Sequence, residues 1–224
     1  AKQEALNTSV KEATTLLKLL ADVTKQHVVF RSKLSPDALK ESRKHFDLHV
    51  KKTLKSDLRK CTAFGKKVKT GGWSASTPAS PLLSDSNVLA KDVEALNLSR
   101  YVDEVASAIL EAKVKMADVN VLLALCIAMH ERYTDFLPAL LPRLLQSITT
   151  DSGTGNKLQR RVHLRLLVEF VLHGVVPSNS SEIKTMVKFI GEVAGAPTTP
   201  GRHYAVIDAT MVVTFVKAAG MELI

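Results

Sequence analysis

Residues 93–136 read VEALNLSRYVDEVASAILEAKVKMADVNVLLALCIAMHERYTDF, and this stretch decides the fold class. Val102, Val105, Ala106 and Ile109 recur at i, i+3, i+4 and i+7, the spacing of one helix face, with Ser99 placed to cap the helix. Asp118 is placed to cap a second helix carrying Leu122, Leu125, Cys126 and Met129. Such a pair cannot hide its apolar stripes alone, so it must stack on neighbours.

The pattern continues downstream. Asp135 opens a helix with Leu137, Leu140, Leu141, Leu144 and Ile148 inward, and Pro142 is expected to kink or split it. Residues 150–156, TDSGTGN, read as a loop. The helix over 157–173 is apolar on two sides, Val162, Leu166 and Phe170 against Leu164, Leu167, Val168 and Val171, as in a helix sandwiched between neighbours. Gly174 is its stop. Ser178–Ser181 opens a helix burying Ile183, Met186, Val187, Ile190 and Ala194. A last helix over 204–219 is rich in β-branched residues, but no partner strand is visible. The helix–loop–helix units 100–132, 135–173 and 179–219 repeat at roughly 40 residues, the range of HEAT-type arrays. The expected fold is all-α, a HEAT-like α-solenoid of antiparallel helix pairs.

Upstream, residues 4–31 read as one helix through Leu6, Val10, Ala13, Leu17, Leu20 and Val28. Ser35-Pro36-Asp37 is a start signal for a helix to about Phe46. A further helix, or a continuation, runs from Leu48 to Lys69 with Leu48, Leu54, Leu58 and Val68 as its apolar positions. Residues 70–84 are rich in Gly, Ser, Thr and Pro and read as a flexible loop, with Trp73 an anchor to the body. Ser86 is placed to cap a short helix to Leu96. The domain reading is a helical extension over 1–47 and a repeat module over 48–224.

Composition supports helices: 46% of residues are hydrophobic and only 5% aromatic. The chain starts at Ala1 without Met, as a fragment would, and shows no secretory signal or membrane span. Cys61 and Cys126 are too few and too distant for a disulfide framework, so a reduced intracellular compartment is expected. The net charge of +9 is concentrated: residues 1–69 hold 17 Lys+Arg against 7 Asp+Glu. That asymmetry suggests an acidic partner, nucleic acid or protein; the competing reading is a solvated Lys-rich surface. The candidate binding surface is Lys51, Lys52, Lys55, Arg59, Lys60, Lys66, Lys67 and Lys69, with Lys52, Lys55, Arg59 and Lys66 on roughly one helix face. Phe64 is the only nearby aromatic, which argues against sequence-specific single-strand readout.

Signals for catalysis are weak. His45 and His49 are one turn apart but lack the Glu of a zinc-protease motif and a third ligand. His130-Glu131 reads as a polar helix end with Arg132 and Tyr133 packing at the turn, and Cys126 as a buried structural thiol. Gly71-Gly72 and Gly153-Thr154-Gly155 are too short for phosphate-binding loops. Arg161 and Arg165 are expected to pair with Glu residues across the stack. No enzyme activity, metal, cofactor or small-molecule substrate is expected.

Three motifs carry a family resemblance. The first is Leu96-Asn97-Leu98-Ser99-Arg100-Tyr101-Val102, followed by Glu104, Ala108, Ile109, Glu111, Ala112, Lys113, Val114, Lys115 and Asp118, and closed by Met129, His130, Arg132, Tyr133 and Phe136. The second is Leu58-Arg59-Lys60-Cys61-Thr62-Ala63-Phe64 with Lys66-Lys67, where Cys61 replaces a usual Asn. The third is Arg161-Val162-His163-Leu164-Arg165-Leu166, where an acid is more usual than His163. Together they resemble the first middle domain, of the initiation-factor-four-gamma type, of the second up-frameshift factor of nonsense-mediated mRNA decay, over about residues 48–195. The resemblance implies a mainly structural middle domain of HEAT-like helices in a multi-domain decay factor that bridges other up-frameshift factors, contacts the family assigns to later parts of the protein. With the basic cluster added, the expected role is a non-catalytic, cytoplasmic scaffold module with other decay factors as partners and weak sequence-independent RNA binding. The alternatives are a direct RNA-binding module and a translation-initiation middle domain docking a helicase.

Overall fold

The structure, a computed structural model, describes residues 10, 11, 13–15, 17, 18, 28, 31–54, 57–71, 88–150, 157–177, 179–195 and 212–215. Every regular element among them is helical. The chain order is α1 Pro36–His45, a π-helical turn Phe46–Val50, α2 Leu58–Thr70, α3 Val88–Ala95, α4 Val102–Leu110, a 3₁₀ turn Met116–Asp118, α5 Val119–Arg132, α6 Phe136–Thr149, α7 Lys157–Leu172 and α8 Ser181–Gly195. Residues 10, 11, 13–15, 17, 18, 28 and 31–33 are helical, and so are 212–215.

Most helices pack on the helix two places along the chain. One row is α2, α4, α6, α8; the other is α3, α5, α7, with α1 laid on α5. α6 also touches α5 and α7, joining the rows. This two-layered stack is the α-solenoid expected from the stripes. α5 and α7 lie in the middle and are buried nearly all round. In α7 both predicted apolar sides are buried, which explains the doubled stripe.

The entrance to α1 follows its sequence signal: Pro36 takes the first turn and Ser35 Oγ accepts the Ala38 N–H at 3.4 Å. The helix then passes into the π turn, marked by Lys51 N donating to Phe46 O at 2.8 Å. The continuous helix expected over Leu48–Lys69 is corrected. Asp57 is extended (φ −92°, ψ 112°), and its carboxylate accepts from Arg59 N at 2.9 Å and Lys60 N at 3.4 Å, starting α2 afresh. The buried positions of α2 are therefore Cys61, Phe64 and Val68, while Leu48 and Leu58 face solvent.

Other caps depart from expectation. Ser99 does not cap α4; its hydroxyl donates to Asn97 Oδ1 at 2.8 Å, and α4 starts two residues after Arg100. Asp118 and Asp135 stand at N-cap positions without a side-chain capping bond. α6 runs through Pro142 without splitting, with the ring on the exposed side. Ser180 Oγ accepts from Ile183 N at 3.3 Å at the start of α8. Val187 is exposed there, not buried.

Two glycines close helices in the left-handed region. Gly174 (φ 73°) ends α7, with Val175 N donating to Phe170 O at 2.8 Å. Gly71 (φ 66°) ends α2, and a Cβ there would lie 2.5 Å from Lys113 O. Ser86, Trp73, the 70–84 loop beyond Gly71, the side chain of Ala194 and the last helix outside 212–215 fall outside the described residues.

Candidate functional site

The motif residues 96–99 and 129–136 meet in a buried joint. Tyr133 Oη accepts the Leu98 N–H at 2.9 Å, and the Tyr133 ring meets Phe46 edge-on at 5.4 Å between centroids. Arg132 donates to Val93 O at 2.6 Å, approaches Glu94 at 3.8 Å and stands 5.7 Å over the Phe46 ring. Asn97 Nδ2 donates to Lys51 O at 3.3 Å, and Asn97 O faces the Cys61 Sγ at 3.9 Å. The joint thus ties the α1–π rod, the start of α2, the α3–α4 turn and the end of α5. The residues that carry the resemblance most plainly are packing residues.

The predicted basic cluster begins beside this joint, at Lys51, and continues along α2 to Lys69. Lys51 pairs with Asp47 at 3.0 Å, Lys67 with Asp92 of α3 at 2.6 Å, and Lys69 with Glu111 beyond α4 at 2.7 Å. Those bridges are substantially exposed and are worth little individually. Lys52, Arg59, Lys60 and Lys66 are exposed and have no carboxylate partner among the described residues. Lys55 lies outside the described residues. Lys52 belongs to the turn after the π helix, so it does not share a helix face with Arg59 and Lys66. Sequence reasoning passed over Lys40, Lys44 and Arg100, which are exposed cations on α1 and beside Asn97.

A groove of about 410 Å³ runs between α2 and α4, bordered by Lys66, Lys69, Tyr101, Glu104 and Arg143. A second cavity of about 380 Å³ lies among α4, α6 and α7. There Ser147 Oγ is 2.7 Å from both Leu144 O and His163 Nδ1. The hydroxyl either donates to Leu144 O and accepts Nδ1–H, or donates to Nδ1, and the ring tautomer decides between the two. Burial holds the His163 imidazole at about 4.

The other titratable candidates are likewise engaged in packing. The His130 carbonyl accepts from Arg43 Nη2 at 2.8 Å, and burial, with Arg43 adding to it, brings the ring to about 4. Cys126 is fully buried and its thiol is pushed far up by burial. His45 and His49 stack tilted at 5.1 Å; no trio of His, Cys, Asp or Glu with metal-binding geometry occurs among the described residues. Arg165 pairs with Glu169 of its own helix at 3.3 Å and Arg161 donates to Thr214 Oγ1 at 3.1 Å; among the described residues neither meets the expected Glu across the stack. No helix among the described residues is long and apolar enough to cross a membrane.

The described helices form an all-α helical-repeat stack, a fold like that of MIF4G domains, the initiation-factor-four-gamma middle-domain type. The first MIF4G domain of human nonsense mediated decay factor UPF2 matches with a TM-score of 0.57 at 23% identity, over 88% of this chain and 62% of that one. In sequence the chain is similar to Regulator of nonsense transcripts 2 of Mus musculus and of Homo sapiens, each 37% identical over 124 residues, covering 54% of this chain and 9% of theirs. It is also 25% identical over 138 residues to Regulator of nonsense transcripts UPF2 of Arabidopsis thaliana, covering 58% of this chain and 11% of that protein. The chain thus spans about a tenth of the length of the curated relatives it matches. No family model matches it.

Proposed function

We propose that this chain is a non-catalytic scaffold module of a cytoplasmic nonsense-mediated decay regulator, holding other decay factors on the surface of its helical stack. The observation that carries the reading is the 37% identity over 124 residues to nonsense-transcript regulators, joined to a helical-repeat fold. Its side-chain chemistry agrees. Many polar groups in the cavities are engaged with carbonyls and ion pairs, while Lys52, Arg59, Lys60 and Lys66 at the α1–α2 end have no carboxylate partner among the described residues.

The test is retention of purified decay factors on the immobilised chain at low and high salt. Salt-resistant retention of at least one factor supports the reading. A chain that retains none but turns over a substrate defeats it. A second reading, weak sequence-independent RNA binding, is favoured by Lys52, Arg59, Lys60 and Lys66, and predicts affinity that collapses as salt rises.

A further inference from the structure

We infer that the α1–α2 end takes an acidic peptide segment that also carries apolar side chains. The inference rests on the scaffold reading and names the chemistry of its partner. Two observations meet at this end.

The first is charge. Lys44, Lys52, Arg59, Lys60 and Lys66 are exposed and have no carboxylate partner among the described residues. Few described acids offset them: Asp47 is paired with Lys51 and Asp57 caps α2, leaving Asp37 and Glu41 on α1 and Glu104 of α4 on the groove beside Lys66. The surface is complementary to a run of Asp or Glu.

The second is apolar exposure. Leu48 is 54% and Leu58 63% exposed, and both sit among those cations. They belong to one end of the molecule, because Asn97 joins the turn after Leu48, at Lys51 O, to the first turn of α2, at Cys61 Sγ. Two leucines held open amid positive charge suit a partner that brings its own apolar side chains.

The same surface suits nucleic acid poorly. Phe46, Phe64 and Tyr133 are buried at 3%, 3% and 6% exposure, and Tyr101, on the groove beside Lys66 and Lys69, is half-buried. The exposed rings of the patch among the described residues are the imidazoles of His45 and His49, which already pack on each other. A single strand would find phosphate contacts here but, among the described residues, no fully open platform for its bases. Leucines would add nothing to such binding.

The experiment titrates the 224-residue chain by fluorescence anisotropy with three labelled probes of matched charge. They are an acidic peptide with leucines at helical spacing, the same peptide with serine for leucine, and single-stranded oligouridine. The leucine peptide should bind about tenfold more tightly than the serine peptide, the gain expected from partly burying two leucines. Leu48→Ser with Leu58→Ser should shrink that ratio to near unity, and Arg59→Glu with Lys66→Glu should abolish binding of both peptides. Circular dichroism confirms folding of the variants. Equal affinity for the two peptides would reduce the surface to a generic cationic face and overturn the inference. Oligouridine binding more tightly than either peptide, untouched by the leucine changes, would make it a nucleic-acid surface and overturn it too. If purified decay factors are retained while the leucine peptide is not, this inference falls and the scaffold reading stands.

Discussion

Tyr133 Oη accepts the hydrogen bond of the Leu98 amide at 2.9 Å, and this bond closes the joint between the α3–α4 turn and the end of α5. Tyr133→Phe keeps the edge-on contact with Phe46 but leaves a buried N–H without its acceptor. The expected loss is about 1–3 kcal/mol in denaturant unfolding. A variant as stable as the parent would show that water satisfies Leu98 and that the joint is looser than described.

Gly71 is closed to any side chain for two reasons. Its φ is 66°, and a Cβ would meet a backbone carbonyl, Lys113 O, at 2.5 Å. Lys113 N in turn donates to Lys69 O at 3.1 Å, so the clash would pry α2 from the segment after α4. Gly71→Ala should destabilise by about 2 kcal/mol or more, read as a lowered thermal midpoint. An unchanged midpoint would place this turn elsewhere.

Leu125 and Leu58 form a matched pair for burial. Leu125 is fully buried in α5, whereas Leu58 opens α2 on the surface. Leu125→Ala should cost about 2–5 kcal/mol. Leu58→Ala should stay within about 0.5 kcal/mol. Similar losses at the two positions would contradict the start of α2 at Asp57.

Stability should depend on pH through two buried imidazoles. His130 and His163 are both held at about 4, by burial first, with Arg43 adding to it at His130. In the unfolded chain they protonate near 6.5. The unfolded state therefore binds more protons between those values. Stability falls as pH drops from about 6.5 towards 4 and levels off below, by up to roughly 3 kcal/mol for each ring. His163→Gln should flatten the profile measured by urea unfolding at stepped pH. A slope identical to the parent's would mean that the ring is open to solvent in the folded chain.

The stripes of α4 to α7 were legible because both layers of a solenoid demand buried faces, and a buried face repeats at helical spacing whatever its neighbour. α7 even declared its central place through Val162, Leu166 and Phe170 opposite Leu164, Leu167 and Val171. The break before α2 was masked. Leu48, Leu54 and Leu58 imitate a helical stripe, and the stop depends on Asp57 turning its carboxylate to Arg59 N and Lys60 N. Ser99 misled for a related reason: its hydroxyl donates to Asn97 Oδ1, two residues earlier, and accepts no amide at the start of α4.

The basic cluster was visible as composition, but its sorting was not. Asp92 and Glu111 neutralise Lys67 and Lys69 from other elements, contacts that no local spacing announces. The same holds for Ser147 and His163, which are brought together only when α6 packs on α7.

The scaffold proposal is tested most directly by binding purified nonsense-mediated decay factors to the immobilised chain, beside a folded Arg59→Glu, Lys60→Glu, Lys66→Glu variant. The account predicts that the parent retains at least one factor through a high-salt wash and that the variant loses at least tenfold in affinity while its thermal midpoint stays put. Absence of retention by the parent would contradict it, whereas equal retention by the variant would place the contact away from the α1–α2 end.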